Sequence, residues 1–267
     1  MTASLTRVGA LLTRYLSLHR RSIIRAFDIA FWPVMDLLVW GFVTGYIQRS
    51  AGGPLAGTIV FLIGTMIGWD IHYRGQQAVT ISLMEEIWTR NIVNILIAPV
   101  RLWEWIAASS LYGLIKVAAV GLILSVMARA LYAFDVLAIG WAVVPLVASL
   151  LVFGWAIGLG TAGLLLRYGY AAEALIWGIP FLLQPFSCVF YPLDALPAWA
   201  RAIARLLPST YTFEGLRLAM VGRPVPDALW LAIIGLNALY LVLGAWLLTA
   251  MLRAARCSGR LGHLGQD

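Results

Sequence analysis

The chain has 267 residues, of which 62% are hydrophobic and 12% charged, with a mean hydropathy of +0.88. Soluble domains sit near half apolar and a quarter charged, so this composition excludes an ordinary soluble protein and points to an integral membrane protein. The net charge of +7 rests on eighteen Arg and one Lys against twelve acids. With no soluble segment long enough for a nucleic-acid-binding domain, that excess speaks of membrane orientation and head-group contact.

Residues 1–28 carry Arg7, Arg14, Arg20, Arg21 and Arg25 among periodic apolar residues. Leu5, Val8, Leu12 and Tyr15 share a face, which predicts a basic amphipathic helix resting on an anionic cytoplasmic leaflet. The charges reach Arg25 and precede an apolar run of full span length, a pattern unlike a cleaved signal peptide.

Six spans are predicted, at about 29–47, 57–84, 104–127, 136–166, 172–190 and 228–252, each near the ~20 residues that cross ~30 Å of hydrocarbon. In the second, the purely apolar part ends at Trp69, so the helix must continue through a polar stretch to Gln77. Asp70, Arg74 and Gln77 share a face there, and Tyr73 sits one turn from Gln77. Intramembrane charges usually face the interior and pair. This strip either lines a transport path or dimer interface, or is an ion pair that only holds the helix in place. Elsewhere in the spans, Asp36 and Lys116 are candidates for an interhelical pair. Gly41-x-x-x-Gly45, Gly64-x-x-x-Gly68 and Gly154-x-x-x-Gly158 are close-packing motifs, for use within one subunit or at a dimer seam.

Between the second and third spans, Trp88, Ile92, Ile95 and Leu96 gather on one helical face, with Glu85, Glu86, Arg90 and Asn94 around the rest and Pro99 as the stop. A short amphipathic helix over 85–97 either rests on the bilayer surface or presents a face to a soluble partner. With both termini inside, eleven basic residues are cytoplasmic, six lie outside, and Arg74 and Lys116 fall within spans. That is the direction expected of the positive-inside bias, and it places 85–97 in the cytoplasm.

Prolines 185, 192, 197, 208, 224 and 226 punctuate the stretch before the last span. Two short helices are predicted in 185–222, one after Pro197 and one from Ser209 or Thr210, with Glu214 in the first turns of the second. Broken helices at this level need protein or a water cavity to satisfy their free backbone ends, so they form a cap or an interfacial rest. Residues 253–267 form a basic tail.

Three scattered His argue against a metal site, and no Ser-His-Asp, Cys-His or paired-carboxylate set supports hydrolysis. Cys188 and Cys257 fall at different levels, so no disulfide framework is expected. Trp69, Tyr73 and Trp177 could stack on sugar rings, although interfacial belts account for most of the twelve Trp. A phosphate-binding loop needs Gly-Lys before Ser or Thr, whereas the one lysine, Lys116, follows Ile115. A nucleotide that drives this chain is therefore expected on another one.

In its order of parts the sequence resembles the membrane subunit of ABC-2 type exporters, the permease family of polysaccharide, lipo-oligosaccharide and drug export. Three features carry the resemblance: Glu85-Glu86-Ile87-Trp88 through Ala98-Pro99-Val100 to Glu104; Tyr191-Pro192 through Pro197 and Leu207-Pro208 to Tyr211; and the layout of interfacial helix and six spans. It implies an all-α polytopic fold of residues 29–252 and a homodimer, or a paired permease, bound to two cytoplasmic ATPase subunits that hold ATP and Mg, with no cofactor on this chain. Glu85, Glu86, Trp88, Arg90, Ile92, Ile95 and Leu96 would form the ATPase-coupling helix. Asp70, Tyr73, Arg74 and Gln77 would line the path or dimer interface. Tyr191, Pro192, Pro197, Pro208, Tyr211 and Glu214 would build an extracytoplasmic half-helix cap. The implied location is the bacterial plasma membrane, and the substrate a glycan, glycolipid or hydrophobic drug. An ATPase-independent transporter or channel, or a membrane enzyme acting on lipid-linked substrates, are the alternatives.

Overall fold

The computed structural model describes residues 2–20, 23–50, 56–89 and 91–258. These residues are helical without strands: α1 (Thr2–Arg20), α2 (Ile23–Ser50), α3 (Ala56–Trp88), α4 (Ile92–Ile97), α5 (Leu102–Tyr132), α6 (Val143–Tyr168), α7 (Glu173–Leu183), α8 (Ala198–Ala204), α9 (Pro208–Met220) and α10 (Asp227–Cys257), with short 3₁₀ turns between. Within α2, α5, α6 and α10 lie four segments long and apolar enough to cross a membrane, 29–47 of α2 and the whole of the other three. The chain is a multi-pass membrane protein.

The helix α3 forms the axis, packed against α2, α5, α6 and α9. At 33 residues and 1.5 Å per residue it is about 50 Å long, well beyond the hydrocarbon thickness. Its polar middle and acidic end set it apart from the four apolar helices. Against it α6 lies in close register, because Gly154 and Gly158 leave the room. A Cβ on Gly154 would collide with the His72 carbonyl oxygen, and one on Gly158 would come within 2.8 Å of the Gln76 carbonyl oxygen. On the other side of α6, Gly244 of α10 meets the backbone of Ala156 in the same way, and Gly163 that of Leu248. Residue numbers rise together at both crossings, so α3, α6 and α10 run in one direction.

The three small-residue motifs thus have different uses. Gly154-x-x-x-Gly158 packs within the subunit. Gly64 and Gly68 face α9 through Met220, Phe213 and Leu216, while Gly41 meets Tyr132 and Gly45 meets nothing.

Several boundaries differ from the predicted ones. The expected fifth span, 172–190, is an 11-residue helix with Pro180 inside it, followed by a 3₁₀ turn over Gln184–Phe186. Pro180 and Pro185 each lack a backbone donor, so the hydropathy of this run overstates its regularity. In place of the fourth predicted span, 136–166, α6 starts at Val143, after a separate turn over Val136–Ile139 and Gly140 at φ 92°. Residues 85–97 are not one helix. Glu85–Trp88 finish α3, Thr89 and Asn91 are not helical, and α4 covers only Ile92–Ile97.

Residues 1–28 also divide, into α1 and the start of α2. The buried stripe of α1 is Val8, Leu11 and Tyr15, one residue round from the predicted face, and Leu5 is exposed. That stripe joins Leu83, Trp105, Leu166, Leu248 and Leu252 in one apolar cluster. Here α1 packs on protein, chiefly on α5, and it meets the last turns of α10 at one end of the bundle.

Candidate functional site

Three groups of residues stand out: the end of the bundle that carries α1, the buried strip of α3, and the cap over the opposite end.

At the α1 end, two acids hold α1 in place. Glu86 accepts hydrogen bonds from Arg14 Nε and Nη2 at 3.0 and 2.8 Å and from Asn91 Nδ2 at 2.6 Å. Glu104 accepts from Arg7 Nη1 at 3.1 Å, from the Ser4 hydroxyl, and from the backbone N–H of Arg101 at 2.8 Å, which closes the first turn of α5. Glu86 is 1% exposed and Glu85 is also buried. The two acids of the predicted coupling helix thus face inward. Outward at this end are Trp88 (46% exposed), Ile97 (77%) and Trp103, with Asn94 and Arg101 among them. Ile95 points back into a small cavity with Leu83, Trp105, Leu252 and Arg256. Arg90 and the side chains of Ile92 and Leu96 lie outside the described residues.

In the middle of α3, Arg74 Nε donates to Asp70 Oδ2 at 2.8 Å, both side chains being buried. Tyr73 stands between them in sequence, with Gln77 one turn further along α3. Asp70 and Tyr73 open onto a cleft of about 230 Å³ between α2, α3 and α7, with Asp36, Trp40, Phe181, Gln184 and Phe190 around it. Asp36 thus sits with Asp70, whereas the Lys116 ammonium lies 5.1 Å from the Tyr112 ring centroid. Of the three aromatics considered for sugar stacking, Trp69 and Tyr73 line this cleft and Trp177 is exposed on α7.

A turn away, His72 is stacked on Phe153 at 4.8 Å and donates through Nδ1 to the Leu150 carbonyl at 3.2 Å. Gln76 donates to the hydroxyls of Thr80 and Thr161 and to the Ile176 carbonyl, which ties α3 to α6 and α7.

Sequence reasoning missed both the α1 ion pairs and Asp36 as a cleft residue. The structural bounds show why Asp36 belongs there: it lies fourteen residues from the end of α2, and Asp70 fourteen from the start of α3, a match that the predicted bounds at 47 and 57 did not give. Adjacent antiparallel helices then place them at one depth.

The cap is built by side chains binding free backbone groups, as broken helices require. Pro197 precedes α8 and Pro208 opens α9, where a missing N–H costs nothing. Thr210 donates to the Ala204 carbonyl at 2.7 Å, Tyr211 to that of Arg205 at 2.9 Å, and Tyr191 to that of Pro185. Glu214 accepts from the Leu193 N–H at 2.8 Å and pairs with Arg217, which also donates to the Cys188 carbonyl at 2.7 Å. Cys188 itself adopts φ 55°, left-handed and uncommon for a side-chain-bearing residue. Arg217 lies 5.0 Å above the Phe61 ring, which docks α9 onto the first turns of α3. Of the residues predicted for the cap, Tyr191, Tyr211 and Glu214 make these bonds, and Pro192 precedes the turn over Leu193–Ala195.

Among the described residues no group of three or more His, Cys, Asp or Glu could hold a metal ion. Compared with known families, residues 10–221 match the sequence model described as ABC-2 type transporter. No curated protein matches the chain.

Proposed function

The chain belongs to the ABC-2 type transporter family, and from that premise we propose that it is the membrane subunit of an ATP-driven exporter. The family normally works with an ATPase subunit. In this reading two copies of the chain pair in the bacterial plasma membrane with both termini in the cytoplasm, each crossing six times. α3 and the α7 segment provide the two crossings beyond the four apolar helices. Two separate ATPase chains bind ATP and Mg and drive the cycle. Their closure pushes on the junction of α3, α4 and α5, the bundles rock, and substrate leaves the cytoplasm or inner leaflet beneath the α8–α9 cap.

The observation that carries this reading is the exposed apolar surface of Trp88, Ile97 and Trp103 at the overshooting end of α3. Bulky exposed apolar side chains rimmed by polar ones mark protein contacts. Here the docking face is made by the helix ends themselves, and the acids beside it serve α1. The substrate is an amphiphile, a hydrophobic drug or a glycan that can enter a path beside the Asp70–Arg74 pair.

The test is purification of the tagged protein from its native membrane in mild detergent, with ATPase activity assayed in the eluate. An ATPase should accompany the wild type and be lost from a Trp88→Ala, Ile97→Ala variant that still reaches the membrane. A wild-type eluate without an ATPase, or one retained equally by the variant, would remove the coupling role from this surface.

A further inference from the structure

We propose that the cleft between α2, α3 and α7 binds a cationic amphiphile, its charged nitrogen between Asp36 and Asp70 and its apolar part against the surrounding rings. The reading as cargo rests on the transporter function proposed above; the binding itself does not.

The charges come first. Two carboxylates and one guanidinium meet at this depth. Arg74 is engaged by Asp70 at 2.8 Å. Asp36 is exposed and, among the described residues, makes no hydrogen bond or ion pair. It sits in a helical segment long and apolar enough to cross a membrane. A carboxylate in such a place is expensive unless an opposite charge reaches it. The Arg74 guanidinium acts on Asp36 as well as on Asp70, yet one cation beside two carboxylates leaves a net negative charge; a ligand cation offsets it, a neutral sugar leaves it, and an anionic lipid adds to it.

The walls make the same selection. Trp40 and Phe190 are stacked with centroids 4.4 Å apart and planes 20° from parallel, and Tyr73 and Phe181 lie 5.7 Å apart opposite. Aromatic faces attract alkylammonium groups and bury the hydrocarbon attached to them. At about 230 Å³ the cleft suits a single small aromatic or alkyl ammonium group. The polar partners a glycan would need are few: beyond the two carboxylates, the lining offers Tyr73, Gln184 and the indole N–H groups of Trp40 and Trp69.

The experiment places the full-length protein in nanodiscs of zwitterionic lipid and measures binding of benzyltrimethylammonium, with empty nanodiscs subtracted. Benzylsulfonate serves as the anion of similar size. Saturable binding of about one cation per chain is expected, with none for the anion. Asp36→Asn should weaken the cation at least ten-fold. Asp36→Glu should keep it within about three-fold, and Phe181→Ala, on an exposed side chain whose removal leaves the fold intact, should weaken it about three-fold. An unchanged thermal midpoint identifies folded variants. No saturable binding above empty nanodiscs, equal binding by Asp36→Asn, or equal binding of the anion would overturn the proposal. So would loss of a dimer on Asp36→Asn without cation binding, which would give this carboxylate to the second copy. The ATPase purification is independent: its failure removes the exporter and leaves this result standing.

Discussion

Glu86 and Gly154 show what single residues hold together. Arg14 is 40% exposed but Glu86 is 1% exposed, so the two halves of their pair are not equivalent. Arg14→Ala strands a buried carboxylate, whereas Glu86→Gln lets the guanidinium turn to solvent. Removing one partner of a buried pair costs more than the pair contributes. We expect Arg14→Ala to destabilise the protein by about 2 kcal/mol and Glu86→Gln by about half that, read from thermal unfolding in detergent. Equal losses would mean that the carboxylate is hydrated. At Gly154 a methyl group must displace the His72 carbonyl, which is backbone and cannot yield. Gly154→Ala should therefore cost about 2 kcal/mol, while Gly45→Ala, with open space around it, should be close to neutral.

At the scale of elements, legibility followed chemistry that is local. Proline spacing announced the cap helices, because Pro197 and Pro208 act on their own backbones. The Asp70–Arg74 pair was readable because both residues sit on one helix. The α1 ion pairs were not, since Arg14 finds Glu86 across 72 residues of sequence and nothing local marks the match. The amphipathic pattern of α1 was read as contact with lipid; periodicity reports that a face is apolar without saying what covers it. The expected single helix over 85–97 failed for a related reason: Trp88, Ile92 and Ile95 keep helical spacing although α3 ends at Trp88 and α4 begins at Ile92. A measurable consequence concerns α1. Trypsin should cut the native protein slowly after Arg7 and Arg14, and at least ten-fold faster in a Glu86→Gln, Glu104→Gln variant, which frees the helix from both anchors. Unaltered cleavage would assign the docking of α1 to Val8, Leu11 and Tyr15 alone.

For the molecule as a whole, α1 and the last turns of α10 at one end and the cap at the other define two surfaces that chemistry can tell apart. Cys257 is exposed at the end of α10, and Cys188 is buried within the cap, where desolvation pushes its thiol up to about 11. A membrane-impermeant maleimide should label one thiol per chain in inside-out vesicles and none in right-side-out cells, with the second thiol reacting only after denaturation. Labelling of intact cells would invert the orientation.

The unbroken length of α3 has a mechanical consequence. Asp70 and Glu86 are sixteen residues apart on one helix, about 24 Å at 1.5 Å per residue. With no proline or bulge between them, the segment behaves as a lever arm. A tilt of about 5° about its buried acidic foot would swing Asp70 by about 2 Å, most of a hydrogen-bond length, while Asp36 on α2 stayed behind. Force applied at one surface would thus reach a carboxylate pair halfway across the bilayer as a change in the gap between its members.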